Sequence, residues 1–185
     1  MQKTANRIIV CGGNGAGKST FGKSLAEALG YQFRDIEDYY FPKTDGNYLY
    51  AVTRTREEVG RLLLEDMRKY EHFILASVKG DYGIEIESRF NCAILLHVPK
   101  EIRMQRVKDR SFQKFGSRML PGGDLYEKEK AFLEMVENRS ETMAEDWLDA
   151  ASLPVIRLDG TKPVAHNIEQ VWRILGTGKA IKIEK

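Results

Sequence analysis

A glycine-rich turn between an apolar run and a helical pattern constrains this chain more than any other feature. The apolar run covers residues 8–11, and the helical pattern continues to Leu29. The turn has the spacing G-x-x-x-x-G-K-[ST], in which glycines let backbone N–H groups converge on an anion. This phosphate-binding loop, or P-loop, consists of Gly12, Gly13, Asn14, Gly15, Ala16, Gly17, Lys18, Ser19 and Thr20.

The end of the loop supplies the charged and metal-binding groups of such a site. The helix that follows adds free N–H groups and the positive end of its dipole. We expect Lys18 to reach the β- and γ-phosphates of a nucleotide, and the Ser19 hydroxyl to bind Mg²⁺. The motif therefore predicts a nucleoside triphosphate as ligand.

Composition indicates an ordinary single-domain protein. The chain has 185 residues, 42% of them hydrophobic and 30% charged, with a net charge of +2. A net charge this small does not attract the protein to nucleic acid or to membrane surfaces. No apolar stretch approaches the 18 residues of a membrane span. The N-terminus lacks a signal-peptide pattern, and Cys11 and Cys92 lie in apolar runs. We therefore expect a cytoplasmic protein without nucleic-acid or membrane partners.

Strand-like and helix-like segments alternate along the chain, which favours a parallel sheet with right-handed crossovers. The pattern predicts an α/β, three-layer P-loop NTPase fold. Its five-stranded parallel sheet would carry helices on both faces and a helical lid. We expect one domain over residues 1–185, with a core of 7–98 and 153–176, and a short, basic, mobile tail from 176 to 185. The predicted strands cover residues 8–11, 31–34, 72–78, 91–98 and 153–158.

Three acidic residues follow the predicted second strand. They are Asp35, Glu37 and Asp38, and the carboxyl ends of strands are where ligands bind in such sheets. Asp35 and Glu37 would share a side of an extended chain. One of the two could hold Mg²⁺ through water, and the other could accept a proton from a substrate hydroxyl; both are catalytic candidates, and Asp35 is also a candidate metal ligand. Asp38 is a candidate substrate contact, and a solvated acidic turn is the alternative.

Residues 39–70 are predicted to form a substrate-binding insert. The first part, residues 39–53, is rich in aromatic and turn residues without a clear period, as in a binding loop. Arg54 and Arg56 should open the next helix and clamp a carboxylate or phosphate of the acceptor. Ordinary exposed arginines are the alternative interpretation.

The third predicted strand lacks the aspartate that commonly ends such a strand in ATPase motors. Ser77 or Asp81 could replace it, and Gly80 is a further candidate for substrate contact. The missing carboxylate argues against a motor, because motors use it to hold metal and water.

A segment at residues 110–126 is predicted to be a lid. It is basic, lies between two helices and contains Gly116, Pro121, Gly122 and Gly123, which favour turns and hinges. The second of these helices is expected over about residues 126–143.

With these elements, the chain resembles the P-loop small-molecule kinases of the adenylate kinase and shikimate kinase type. The resemblance implies ATP and Mg²⁺ as cofactors, and that Arg106 and Arg110 face the adenine and the phosphates. It implies that Arg139, after the lid, reaches the transferred phosphoryl group. It further implies that the loop after the last strand wraps the adenine through backbone groups. The matching residues of that loop are Gly160, Thr161 and Pro163.

The chain departs from both kinase types after the third strand. It has neither the Asp-Gly-Phe-Pro-Arg-like element of adenylate kinases nor the three glycines of shikimate kinases. The acceptor of neither kinase type can therefore be carried over to this chain. We expect transfer of the ATP γ-phosphoryl group to a small hydroxyl- or phosphate-bearing metabolite, nucleoside or nucleotide, by a monomer or homodimer. The alternatives are an ATP-hydrolysing switch with a protein or RNA partner, and a nucleotide-binding protein without turnover.

Overall fold

A computed structural model describes residues 6–176 as a five-stranded parallel sheet with helices on both faces. Residues 1–5 and most of the predicted tail (177–185) lie outside the described residues. The strands are β1 (Arg7–Cys11), β2 (Gln32–Asp35), β3 (Phe73–Ala76), β4 (Cys92–His97) and β5 (Val155–Asp159). The helices are α1 (Lys18–Leu29), α2 (Ile36–Tyr40), α3 (Arg56–Lys69), α4 (Ile84–Glu87), α5 (Lys100–Phe115), α6 (Tyr126–Glu137), α7 (Met143–Ala151) and α8 (Val164–Gly176).

The strand order brings the candidate site residues to one edge of the sheet. The order is β2-β3-β1-β4-β5, and every neighbouring pair is parallel. Because β1 is central, the P-loop leaves the middle of the carboxyl edge. Asp35 ends β2 opposite Ala76 of β3, and Asp159 ends β5 opposite His97 of β4. The predicted α/β, three-layer fold is confirmed.

Two hydrophobic clusters attach the helices to the sheet. On one face, α1 and α8 pack through buried Phe21, Leu25 and Val171. On the other face, α3 and α7 pack through residues that include Leu63 and Trp147. Within residues 6–176, no helix is both long and apolar enough to cross a bilayer.

The predicted single helix over residues 126–143 is wrong, because the chain breaks between α6 and α7. The Ser140 and Thr142 hydroxyls lie 3.1 Å apart, and the Thr142 hydroxyl donates to the Asp146 carboxylate at 2.9 Å. Such local polar bonds compete with helical hydrogen bonding. The break lets α7 turn back onto the sheet, where Trp147 is buried.

The predicted lid region begins within the last two turns of α5 and ends at the start of α6. A single 3₁₀ turn (Gly116–Met119) and a tight loop join the two helices. Arg118 forms a two-pronged ion pair with Asp124 across that loop, at 2.9 and 2.6 Å. The helices also pack through a small apolar cluster containing Val107 and Val136. The two helices thus form a hairpin over the carboxyl edge of the sheet.

Candidate active site

The P-loop has the backbone conformation that its glycines predict. Gly15 and Gly17 have φ values of +81° and +89°, a region that other residues rarely adopt. A Cβ atom on Gly15 would also collide with the backbone of Arg103 on α5. Helix α1 begins directly after Gly17, so its free N–H groups lie at the loop. The loop is therefore shaped as an anion-binding cradle.

Lys18 lies in this cradle without a carboxylate bonded to it. Its ammonium group donates to the Gly13 carbonyl oxygen at 2.9 Å. The pKa of Lys18 is lowered to about 8, chiefly by burial and to a smaller extent by the positive charge of Arg110, although Asp35 and Glu37 oppose the change. A phosphate would favour the charged form of this lysine, as the motif requires.

The carboxylate of Asp35 connects β2, α2 and the P-loop. Its Oδ1 atom accepts the Glu37 backbone N–H at 2.9 Å and so caps α2, while its Oδ2 atom accepts the Ser19 hydroxyl. Hydroxyl and carboxylate oxygens beside a phosphate site are the ligands that Mg²⁺ prefers. Residues 6–176 contain no group of three His, Cys, Asp or Glu side chains that could hold a metal alone. The donor set therefore fits Mg²⁺ that shares its coordination with phosphates and water.

The extended arrangement expected for Asp35 and Glu37 is wrong, because α2 begins between them. Both residues nevertheless line one cleft of about 420 Å³ together with Lys18 and Ser19. Asp38 does not line this cleft, and its carboxylate is paired with Lys43 instead.

Two of the predicted arginines face the cleft from the helical hairpin. Arg110 lies on α5, and its side chain makes no hydrogen bond or ion pair with any residue of the described range 6–176. Arg139 lies in the break after α6 and donates to the Asn14 side-chain oxygen of the P-loop at 2.7 Å. Cationic groups thus reach the phosphate cradle from two directions.

A second cavity of about 340 Å³ adjoins the P-loop on the side of α8. Arg106 crosses its edge and donates to the carbonyl oxygens of Gly15 and Gly160, each at 3.4 Å. Thr161 is absent from the lining, since its N–H and hydroxyl donate to the Asp159 carboxylate. The predicted nucleotide-contacting residues that line this cavity are Ala16, Gly17, Thr20, Arg106, Gly160 and Pro163.

The remaining predicted acceptor contacts divide between wall and scaffold. Arg56 lines the cleft and pairs with Asp81 at 3.1 Å. Arg54 lies before α3, which Thr55 caps, and donates to the Tyr39 carbonyl oxygen at 2.8 Å, outside the cleft lining. Gly80 is buried against the Trp147 ring of α7 and does not line the cleft.

The residues expected to replace the missing strand-end aspartate both line the cleft. The buried Ser77 hydroxyl donates to the Lys79 carbonyl oxygen at 2.7 Å and lies 3.0 Å from the Tyr82 hydroxyl. Asp81 pairs with the Lys79 ammonium at 2.8 Å. Ser77 is thus engaged with its own loop, while Asp81 belongs to a chain of charges on the cleft wall.

Sequence reasoning missed a small aromatic pocket beside the cleft. Its walls join the predicted binding loop to the helical hairpin, whose lining residues lie at least 60 positions further along the sequence. The one signal in the sequence was the unusual density of aromatic residues in 39–50, which supply one side of the pocket. The aromatic residues of this pocket are Phe41, Tyr48, Tyr50, Phe115 and Phe132.

Comparison with known proteins identifies the family of this chain. The model of the family AAA_18, an AAA domain, matches residues 8–118, which is more than half of the chain. The chain belongs to the AAA_18 family. It is also 31% identical over 180 residues to the uncharacterized protein YqaC of Bacillus subtilis, covering 92% of this chain and 97% of that protein.

This AAA_18 chain is 25% identical over 163 residues to the bifunctional shikimate kinase/3-dehydroquinate synthase of Thermotoga maritima. That match covers 83% of the chain but 32% of the longer relative.

Solved structures share the fold of the AAA_18 chain at low sequence identity. A gluconokinase from Sinorhizobium meliloti has a TM-score of 0.56 at 17% identity, covering 95% of this chain and 94% of its own. Shikimate kinase from Acinetobacter baumannii gives 0.55 at 19%, with 96% of each chain covered. Deoxyadenosine kinase from M. mycoides gives 0.56 at 18%, covering 92% and 100%. The expected similarity to P-loop small-molecule kinases is confirmed at the level of the fold.

Proposed function

We propose that this protein is a Mg-ATP-dependent kinase that phosphorylates a hydroxyl group of a small molecule. The observation that carries the proposal is the convergence of Lys18, Asp35, Glu37, Arg110 and Arg139 on the P-loop cleft. Such a set combines a phosphate cradle, a metal-binding oxygen pair, a free carboxylate and cations for the transferred group. The kinase folds of the structural neighbours support the same proposal.

The chain's residues divide the work of phosphoryl transfer. Lys18 and the P-loop N–H groups hold the phosphates, while Ser19 and Asp35 would hold Mg²⁺, which neutralises phosphate charge when bound. Arg110 and Arg139 neutralise charge on the transferred group. The cavity beside Gly160 receives the adenine.

Glu37 is the proposed general base. As the acceptor oxygen bonds to the γ-phosphorus, the bond from that phosphorus to the ADP oxygen breaks, and the hydroxyl proton passes to the Glu37 carboxylate. A carboxylate in this role typically contributes 10²- to 10⁴-fold in rate. Closure of the hairpin would exclude water that otherwise competes with the acceptor.

The test is ADP release from Mg-ATP in the presence of pooled nucleosides, nucleoside monophosphates, hydroxylated acids and sugars. We expect one pool to accelerate turnover well above a slow background. Lys18→Ala should abolish this turnover while circular dichroism shows a folded protein, because the substitution removes the charge that holds the β- and γ-phosphates. Lys23→Ala, on the exposed side of α1, is the matched control and should retain activity.

Two results would contradict the proposal. Retained turnover in folded Lys18→Ala would remove the P-loop from the mechanism. Steady hydrolysis that is indifferent to every pool would favour a nucleotide-hydrolysing switch. We also infer a cytoplasmic location, since ATP is available there, and the free, buried Cys11 and Cys92 are compatible with it. A monomer or homodimer remains our expectation, to be checked by light scattering.

A further inference from the structure

The aromatic pocket opens directly onto the phosphate cleft. The pocket has a volume of about 80 Å³. It shares four lining residues with the cleft, namely Glu37, Phe41, Arg110 and Phe132. A small molecule seated in the pocket would therefore present one end to the proposed general base and to the phosphoryl donor.

The walls of the pocket offer ring faces and few unpaired polar atoms. The Tyr48 hydroxyl donates to the buried Glu129 carboxylate at 2.8 Å. The Tyr50 hydroxyl accepts from the Lys114 ammonium at 2.7 Å, and the same ammonium lies 4.4 Å from the Tyr50 ring centroid. Because these polar groups already have partners, the pocket would not satisfy the many hydroxyls of a sugar or sugar acid.

The rings are held in fixed mutual orientations. The Tyr48 and Tyr50 rings meet edge to face with centroids 5.5 Å apart, and Tyr48 is 5.5 Å from Phe115. Phe41 meets Tyr50 edge to face at 4.9 Å. Such a box favours a flat ring, which gains both apolar burial and aromatic contacts.

Apart from the charged groups at its mouth, the pocket offers the side chain of Ser111 as a polar partner. The Ser111 side chain is buried at 5% exposure, lines the pocket, and makes no hydrogen bond with another residue of the described range 6–176. A polar atom on the edge of a bound ring could pair with it. The mouth, in contrast, carries the opposite charges of Glu37 and Arg110.

We propose that the acceptor is an alcohol whose hydroxyl-bearing arm extends from a flat heterocyclic ring, as in a nucleoside. The ring occupies the aromatic pocket, and the arm places its hydroxyl at Glu37. This inference rests on the proposed kinase function and adds the class of acceptor to it.

The test compares acceptors at fixed Mg-ATP. Adenosine, thymidine, deoxycytidine and pyridoxine represent ring-bearing alcohols, while gluconate, glucose and shikimate represent polyhydroxylated acceptors. We expect kcat/KM for at least one ring-bearing alcohol to exceed that of every polyhydroxylated acceptor by about 100-fold. Product analysis should show the phosphate on the hydroxyl of the arm.

Variants of the pocket test where the ring binds. Phe115→Leu and Phe132→Leu should each raise KM for the ring-bearing acceptor about three- to tenfold, which is the size expected for a lost aromatic contact. The KM for ATP should not change in Phe115→Leu, because Phe115 lines neither the adenine cavity nor the phosphate cleft. Phe112→Leu is the matched control, because Phe112 lies on α5 like Phe115 but is 52% exposed and does not line the pocket.

The outcomes separate the two proposals. Preference for gluconate, glucose or shikimate would overturn the ring-bearing acceptor while leaving the kinase proposal intact. Equal effects of Phe112→Leu and Phe115→Leu on the KM of the ring-bearing acceptor would also overturn it. Acceptor-independent turnover with every compound would overturn the kinase proposal, and the acceptor class with it.

Discussion

Lys18 shows how a residue can be prepared for a ligand by its surroundings. The P-loop places its ammonium group against the Gly13 carbonyl oxygen, and burial lowers its pKa to about 8. In the unfolded chain the lysine would titrate near 10.5. Its folded pKa is thus depressed, so this group makes the free protein less stable below pH 8 and this cost fades as pH rises toward 10.5.

We predict that nucleotide binding takes up protons in mildly alkaline solution. Bound phosphates raise the pKa of Lys18, because they favour its charged form. At pH 8 about half of the free protein lacks this proton, so binding of Mg-ADP should take up about 0.5 proton, falling to about 0.1 at pH 7. Calorimetry in buffers of different ionisation enthalpy measures this number. Proton release at pH 8, or uptake that does not fall at pH 7, would contradict the prediction.

At the scale of elements, the predicted binding loop (residues 39–53) depends on α6 for its position. Tyr48 from the loop donates to Glu129 on α6, a residue that is 1% exposed and whose second carboxylate oxygen has no partner among the described residues. The bond raises the pKa of Tyr48, after the larger effect of burial. A buried carboxylate thus holds the loop against the hairpin.

We predict that Tyr48→Phe lowers the free energy of unfolding by about 1–3 kcal/mol, because it leaves Glu129 buried without a hydrogen-bond donor. Tyr50→Phe is the matched control, since the hydroxyl it removes pairs with the exposed Lys114. Denaturant titration of both variants measures the difference. Equal stability of the two would mean that Glu129 does not depend on Tyr48.

Local patterns in the sequence predict the elements better than their assembly. The P-loop, the strands and the acidic turn follow from short motifs, and the P-loop and the acidic turn lie at the carboxyl edge of the sheet as predicted. The helix break at residues 138–142 could not be predicted, since its cause is the packing of α7 on the sheet together with local hydroxyl bonds. The aromatic pocket was equally inaccessible, because Phe115 meets Tyr48 only in the folded chain.

At the scale of the whole molecule, the packing of α7 on the sheet accounts for the glycine at position 80, which the sequence suggested as a substrate contact. A Cβ atom on Gly80 would lie 2.6 Å from the Trp147 ring and 2.8 Å from the Ile9 side chain. The absence of a side chain at this position lets α7 approach the central strand. Gly80 therefore contributes to the close packing of α7 against β1 beneath the cleft.

We predict that Gly80→Ala destabilises the protein by about 1–3 kcal/mol through overpacking. The KM of the acceptor should stay unchanged in the folded variant, because Gly80 lies outside the cleft lining. Gly46→Ala is the control, since a Cβ atom there meets nothing within 4 Å. Thermal unfolding and steady-state kinetics measure the two effects. A raised acceptor KM at unchanged stability would instead support Gly80 as a substrate contact.

The buried position of Trp147 has a consequence for the fluorescence of the protein. The chain has two tryptophans, and they differ sharply in surroundings: Trp147 is 8% exposed beneath the cleft, whereas Trp172 on α8 is 52% exposed. An aqueous collisional quencher such as iodide would therefore suppress the emission of Trp172 and leave that of Trp147. The emission that survives iodide thus reports on the surroundings of Trp147 alone, beneath the cleft wall and next to Gly80.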